Sequence, residues 1–163
     1  MPTISLTTFM KLCSKTPSSK ATAYSKYLTP GGYDFYQRLK VEANAATVLG
    51  KSHSDCEEAL ASIANESERK HNLAGFKALV KWLITESGKF FAPPTALCES
   101  PKGFIKVRLK PEFGIETAVG RRLVTLWNTK KPELTSSIAG VGIYLMNQHL
   151  LKGDFEDCKS AVL

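Results

Sequence analysis

The stretch Phe104-Ile105-Lys106-Val107-Arg108-Leu109-Lys110, followed by Pro111-Glu112-Phe113 and running on to Lys131, decides the fold class. Its first seven residues alternate. Ile105, Val107 and Leu109 fall on one face and Lys106, Arg108 and Lys110 on the other, the two-residue period of a half-buried strand. Phe113 to Val119 and Leu123 to Trp127 give two further strands around Gly120. Pro132 then sits near the first turn of a helix carrying Leu134, Ile138, Val141 and Leu145 and closed by Gly153, and Ser160 to Leu163 read as a final strand.

Upstream of this stretch the period lengthens to that of a helix. Leu6, Phe9, Met10 and Cys13 follow Ser5 at helical spacing, Thr16 to Ser19 break the pattern, and a short segment follows around Tyr24, Tyr27 and Leu28. Thr29-Pro30-Gly31-Gly32 is a turn. Phe35, Leu39, Ala46 and Leu49 form the next stripe, with Gly50 as its stop. Ser54 with Glu57 gives a capping box ahead of Cys56, Leu60 and Ile63. A longer helix runs from Glu66 through Leu73, Phe76, Val80 and Leu83 to Gly88. Pro93, Pro94 and Pro101 bar a helix between Lys89 and Lys102. The expectation is an α+β fold, with a helical N-terminal region over residues 1–65 and a β-β-β-α-β core within 66–163.

A chain of 163 residues, 43% of them apolar, buries a core of single-domain size, which sets disorder and collagen-like order aside. No apolar run approaches the roughly 18 residues of a membrane span, and the first fifteen positions lack the pattern of a secretory signal. A cytoplasmic protein with no membrane partner is expected. Cys13, Cys56, Cys98 and Cys158 show no Cys-x-x-Cys spacing, so reduced thiols are expected rather than a zinc site. Gly-x-Ser-x-Gly, Walker and His-Glu-x-x-His motifs are missing, which removes support for serine hydrolysis, nucleotide triphosphate turnover and zinc proteolysis.

The formal charge is +7, from 22 Lys plus Arg against 15 Asp plus Glu. It is unevenly spread. Residues 1–40 carry six cations and one acid, and residues 101–131 carry eight cations and two acids, while the remainder is slightly acidic. In the first block Lys15, Lys20, Lys26, Arg38 and Lys40 interleave with Tyr24, Tyr27, Tyr33, Phe35 and Tyr36, a mixture that either stacks bases or packs helices together. In the second, alternation sets Lys106, Arg108 and Lys110 at intervals of roughly 6.6 Å, near the spacing of phosphates along one nucleic-acid strand. Arg122 and Lys131 add to this block. Nucleic acid, DNA ahead of RNA, is the expected partner; the alternative is a non-enzymatic interaction or oligomeric scaffold domain with a basic surface.

From the long helix onward the element order α-β-β-β-α-β, together with Pro111-Glu112 and Asn128-Thr129-Lys130, resembles the core of the PD-(D/E)XK, or restriction-endonuclease-like, nucleases. In that family an acid on the second strand and an acid-x-Lys on the third hold a divalent metal and position water. The resemblance covers residues 66–163 and implies a degenerate nuclease-type site at Glu112, Glu116, Asn128 and Lys130. Glu112 and Glu116 would ligate Mg²⁺, and Lys130 would stabilise charge on the attacked phosphate. Asn128 offers only a neutral carbonyl where the family has an acid, which disfavours catalysis. Assembly depends on hairpin register. A three-residue loop Ala118-Val119-Gly120 sets Glu116 opposite Arg122 and all four residues on one face, with Phe113 and Ile115 beside Leu123 and Trp127 on the other; this register is preferred. A two-residue turn at Gly120-Arg121 would put Asn128 on the opposite face from both glutamates.

Gly140 and Gly142 lie inside the expected last helix, where each costs roughly 1 kcal/mol relative to Ala. Close packing on the sheet, or approach of a phosphate to the backbone, would account for them.

Overall fold

Both ends of the chain are strands. In the computed structural model, which describes residues 1–27 and 33–163, the order is β1 (Thr3–Ser5), α1 (Leu6–Cys13), α2 (Pro17–Ser25), α3 (Gln37–Thr47), α4 (His53–Ala61), α5 (Glu66–Thr85), β2 (Gly88–Phe91), β3 (Ala96–Glu99), β4 (Lys106–Leu109), β5 (Phe113–Thr117), β6 (Gly120–Thr125), α6 (Ser136–Leu150) and β7 (Lys159–Val162). A 3₁₀ turn, Gly153–Phe155, precedes β7. An α+β class fits this arrangement. Leu28 and the turn expected at Thr29-Pro30-Gly31-Gly32 lie outside the described residues.

The strands form two sheets, one of three strands in the order β1-β4-β3 and one of four in the order β2-β5-β6-β7. In the smaller sheet β1 runs parallel to β4 and β3 antiparallel to it. In the larger, β2, β5 and β6 are antiparallel neighbours and β7 lies parallel to β6, reached through α6. The strand that opens the sequence reading, β4, therefore belongs to the smaller sheet, and β2 stands first in the larger one. β2 and β3 escape the sequence reading because each has only four residues and Pro93-Pro94 separates them. Those prolines, which cannot donate to a ladder, form the connection between the two sheets.

Helices cover the larger sheet on both faces. Leu39, Cys56, Leu60 and Phe76 of α3, α4 and α5 pack with Phe113, Ile115, Val124 and Leu126 in one core. Met10 of α1 and Ile138 and Met146 of α6 pack with Leu123 and with Val107 and Leu109 of the smaller sheet in the other. Each core draws on residues before and after position 65. Fully buried Asn72 ties α3 to α5: its Oδ1 accepts the Leu39 N–H at 2.9 Å, and its Nδ2 donates to the carbonyls of Phe35 at 2.9 Å and Glu68 at 2.8 Å. All four cysteines are free thiols, and burial pushes that of Cys56 up to about 11. No helix among the described residues is long and apolar enough to cross a membrane.

Several helix ends differ from expectation for local reasons. Ser52, with extended backbone, caps α4 by accepting the Asp55 N–H at 3.1 Å, so the cap lies two residues before the expected box at Ser54 and Glu57. α5 ends at Thr85, and Gly88 opens β2, where a Cβ would run into the Glu116 carbonyl. α6 begins not at Pro132 but at Ser136, because Thr135 caps the Ile138 N–H. Gly142 is a packing glycine: a Cβ there would lie 2.7 Å from the Met10 sulfur of α1. Gly140 has open space around it, and nothing in the structure explains it.

Candidate nucleic-acid interface and cleft

The register of the β5–β6 hairpin is neither of the two expected. Thr117 pairs with Gly120, Glu116 with Arg121 and Ile115 with Arg122, so the loop is Ala118-Val119 alone. Gly120, at φ +120°, belongs to the strand, and Thr117 Oγ1 accepts the Val119 N–H at 3.3 Å and donates to the Gly120 carbonyl at 3.2 Å. The preferred pairing of Glu116 with Arg122 is therefore corrected by one residue, which turns every β6 side chain to the opposite face. Leu123 parts from Phe113 and Ile115, which share a core with Val124 and Leu126 instead. Arg122 points toward α5, bonded to Glu86 and with its guanidinium 5.9 Å from the Trp82 ring centre. There it braces α5 on the sheet.

The four nuclease-type positions do not converge. Glu116 is exposed at the loop end of β5, paired across the ribbons with Lys89 and Arg121. Glu112 lies at the other end, in a bend just before the strand begins. There one carboxylate oxygen accepts the Leu126 N–H at 2.8 Å, and the backbone carbonyl accepts from Asn44 Nδ2 at 2.8 Å. Asn128 lies beyond the end of β6 and turns to α5: a Cβ at Gly75 would sit 2.5 Å from its Nδ2, which faces the His71 carbonyl at 3.5 Å. Lys130 is exposed in the following loop.

These positions do not fit Mg²⁺. A hard cation gathers several oxygens at about 2.1 Å, whereas Glu112 has committed an oxygen to Leu126 and Glu116 stands a strand length away. Among the described residues no group of three or more His, Cys, Asp or Glu side chains could hold a metal ion.

The cations of β4 do share one face. Val107 and Leu109 are buried, while Arg108 and Lys110 are exposed and Lys106 is half-buried with Glu99 Oε2 at 3.7 Å. β4 is the middle strand of its sheet, so these cations rise from a surface flanked by β1 and β3 rather than from an edge. Lys131 is exposed in the loop beyond β6. In the N-terminal block the aromatic residues mostly pack: Phe35 meets Tyr36 edge to face at 4.9 Å and His71 at 5.9 Å, and the Tyr33 hydroxyl donates to Glu68.

Beside the β4 face opens a cleft of about 1020 Å³. Lys11 of α1, Lys40 of α3, Arg108 of β4, Lys110 just after it, Glu112 and Trp127 line it. Lys40 Nζ bonds Asp34 at 2.8 Å and reaches Thr7 Oγ1 at 3.5 Å. Lys11 Nζ lies 5.7 Å from the centre of the Trp127 ring. Burial, and then the neighbouring Lys40, hold the Lys11 ammonium below its ordinary range, while Asp34 opposes them. Burial pushes the Glu112 carboxyl up to about 7, against the pull of the Leu126 N–H and of Lys40. Trp127 Nε1 is buried without a hydrogen-bond partner among the described residues.

Of the sequence-derived candidates, Glu112, Asn128, Arg108 and Lys110 meet at this cleft together with Lys40 and the N-terminal aromatics Tyr27, Tyr33, Phe35 and Tyr36, and Glu116, Arg122 and Lys130 are not among its lining residues. Sequence reasoning overlooked Lys11 and Trp127. Neither carries a spacing signal toward the other, because a helix at one end of the chain and a strand exit more than a hundred residues later supply them. Neither a protein-family model nor a curated protein sequence matches the chain.

Proposed function

We propose that this chain is a nucleic-acid-associated protein of the cytoplasm that binds its partner, DNA ahead of RNA, without reading sequence and without cutting it. The observation that carries the reading is the row Lys106, Arg108 and Lys110 on the solvent face of β4, continuous with a cleft that holds Lys11 and Lys40. Such a row meets successive phosphates and releases their counterions. The neighbouring larger sheet is read as a relict of the nuclease type: α5, β2, β5, β6, α6 and β7 run in the family's order once β3 and β4, which lie between β2 and β5 and pair in the other sheet, are set aside, so that β2 takes the place expected for strand 104–110. Glu116 stands a strand length from Glu112 and Lys130 is not among the residues lining the cleft, so binding survives in this reading and phosphodiester hydrolysis does not.

Titrating duplex and single-stranded DNA and RNA of equal length against the protein at several salt concentrations tests the reading. Affinity should fall steeply with salt, and the Arg108→Ala/Lys110→Ala variant should flatten the slope by about 2. Lack of binding at low salt overturns it. A second reading, an acidic protein partner on the same face, draws on Leu97 and Phe104, 54% and 65% exposed beside the cations.

A further inference from the structure

We infer that the cleft between α1, α3 and the open end of the β5–β6 ribbon is a site for one nucleoside phosphate unit, with the phosphate held by Lys11 and Lys40 and the base held against Trp127 beside Glu112. Two sources supply this chemistry: a free mononucleotide, or one nucleotide of a strand lying along β4. The strand-borne form rests on the nucleic-acid reading, and the free form does not.

Three observations point to this ligand class. The first is charge. Lys11 and Lys40 are close enough to repel one another, and Asp34 offsets them only in part. Two ammonium groups act on a phosphate as point charges and remove their mutual repulsion when it arrives. The second is the indole. Trp127 lines the cleft with the Lys11 ammonium over its ring, 5.7 Å from the ring centre. An aromatic face beside a cation suits a nucleobase joined to its phosphate, and not a bare inorganic anion.

The third is Glu112. Its side chain is engaged by the Leu126 N–H, and the buried residue lines the same cavity beside the position taken by the base. Asn44 fixes the Glu112 backbone from α3, so the group that would face the base is held from two elements. At about 1020 Å³ the cleft lies at the upper end of small-ligand sites, a volume ample for a nucleotide.

Calorimetric titration of the full chain tests the inference with the 5′-monophosphates of adenosine, guanosine, cytidine and uridine, the matching nucleosides, inorganic phosphate, and a twelve-nucleotide single strand. At least one monophosphate should bind one to one, and its nucleoside and inorganic phosphate should each bind about tenfold more weakly. Lys11→Met, which keeps the contact with the indole, should weaken that monophosphate about tenfold, and Trp127→Phe, which shrinks the aromatic face, should weaken it independently. Monophosphate binding without strand binding supports the cleft as a site for the free nucleotide and overturns the nucleic-acid reading. Strand binding that Lys11→Met and Trp127→Phe leave unchanged, with no monophosphate binding, overturns the cleft and leaves the β4 face standing. Inorganic phosphate binding as tightly as every monophosphate overturns the site for a base. Failure of all ligands overturns both proposals.

Discussion

The two ends of the β5–β6 ribbon each present a glutamate, and they treat it in opposite ways. At the closed end Glu116 stands in solvent beside a two-residue loop, and Arg121 across from it donates hydrogen bonds to Asp157 Oδ1 and the Asp154 carbonyl, both at 2.7 Å. At the open end Glu112 is buried, hydrogen-bonded to the backbone of the neighbouring strand and surrounded by Lys40, Asn44 and Trp127. A carboxyl in water is indifferent to its neighbours, whereas one withdrawn from water is governed by them. The difference teaches that a short motif of acids and lysines does not place a site. What surrounds each acid is set by the separate elements that fold against it, and at the open end α3 and the stretch past β6 enclose Glu112.

The largest expected effect is at the open end. The Glu112 carboxyl holds its proton to about pH 7 in the folded chain, against an ordinary value of 4.5. Between those limits the folded protein keeps a proton that the unfolded chain releases, so stability is full below about pH 4.5 and falls as pH rises toward 7. The loss amounts to about 3 kcal/mol. Lys40 and Asp34 face this group with opposite effects on it. Glu112→Gln keeps an acceptor for Leu126 and should be more stable than the parent at pH 8 by an amount of that order, and near parity at pH 4. Urea unfolding at the two pH values measures it, and parallel pH profiles would remove the contrast between the two ends.

A smaller effect is expected from Asn128→Asp, the change that would supply the acid missing from the nuclease-type motif. It sets a carboxylate against the His71 carbonyl and should cost about 1–2 kcal/mol in a thermal melt, with no plasmid nicking in Mg²⁺. Nicking that appears with this substitution and vanishes on adding Lys130→Ala would make the open end a metal site. The smallest effect belongs to the closed end: Glu116→Ala should shift stability by less than about 0.5 kcal/mol and leave nucleic-acid affinity unchanged. A large loss there would mean that the exposed glutamate has work of its own.

What the sequence discloses follows from how each segment meets water. Residues 104–110 alternate legibly because Val107 and Leu109 are buried while Arg108 and Lys110 are solvated. The ribbon that follows is covered on both sides, by α5 over Phe113, Ile115 and Val124 and by α6 over Leu123. A shift of one residue there exchanges one apolar side chain for another, and the pattern does not choose between registers. The long helix α5 is legible from Leu73, Phe76, Val80 and Leu83, of which Phe76 and Leu83 are buried, although its N-terminal cap is Asn65 and its end comes at Thr85. The cleft could not be read at all, since Lys11 and Trp127 meet only when α1 is laid on the sheet from the side of α6.

The parallel pairing of Thr3, Ile4 and Ser5 with Lys106, Val107 and Arg108 joins positions about a hundred residues apart. While α3, α4 and α5 can dock on one another as soon as they exist, β1 must wait for a partner made far later, and closing so long a chain is slow. The cleft, with Lys11 soon after β1, is therefore expected among the last parts to mature, and a fusion that holds back the first few residues should leave a protein with much of its helix content and an unfinished cleft.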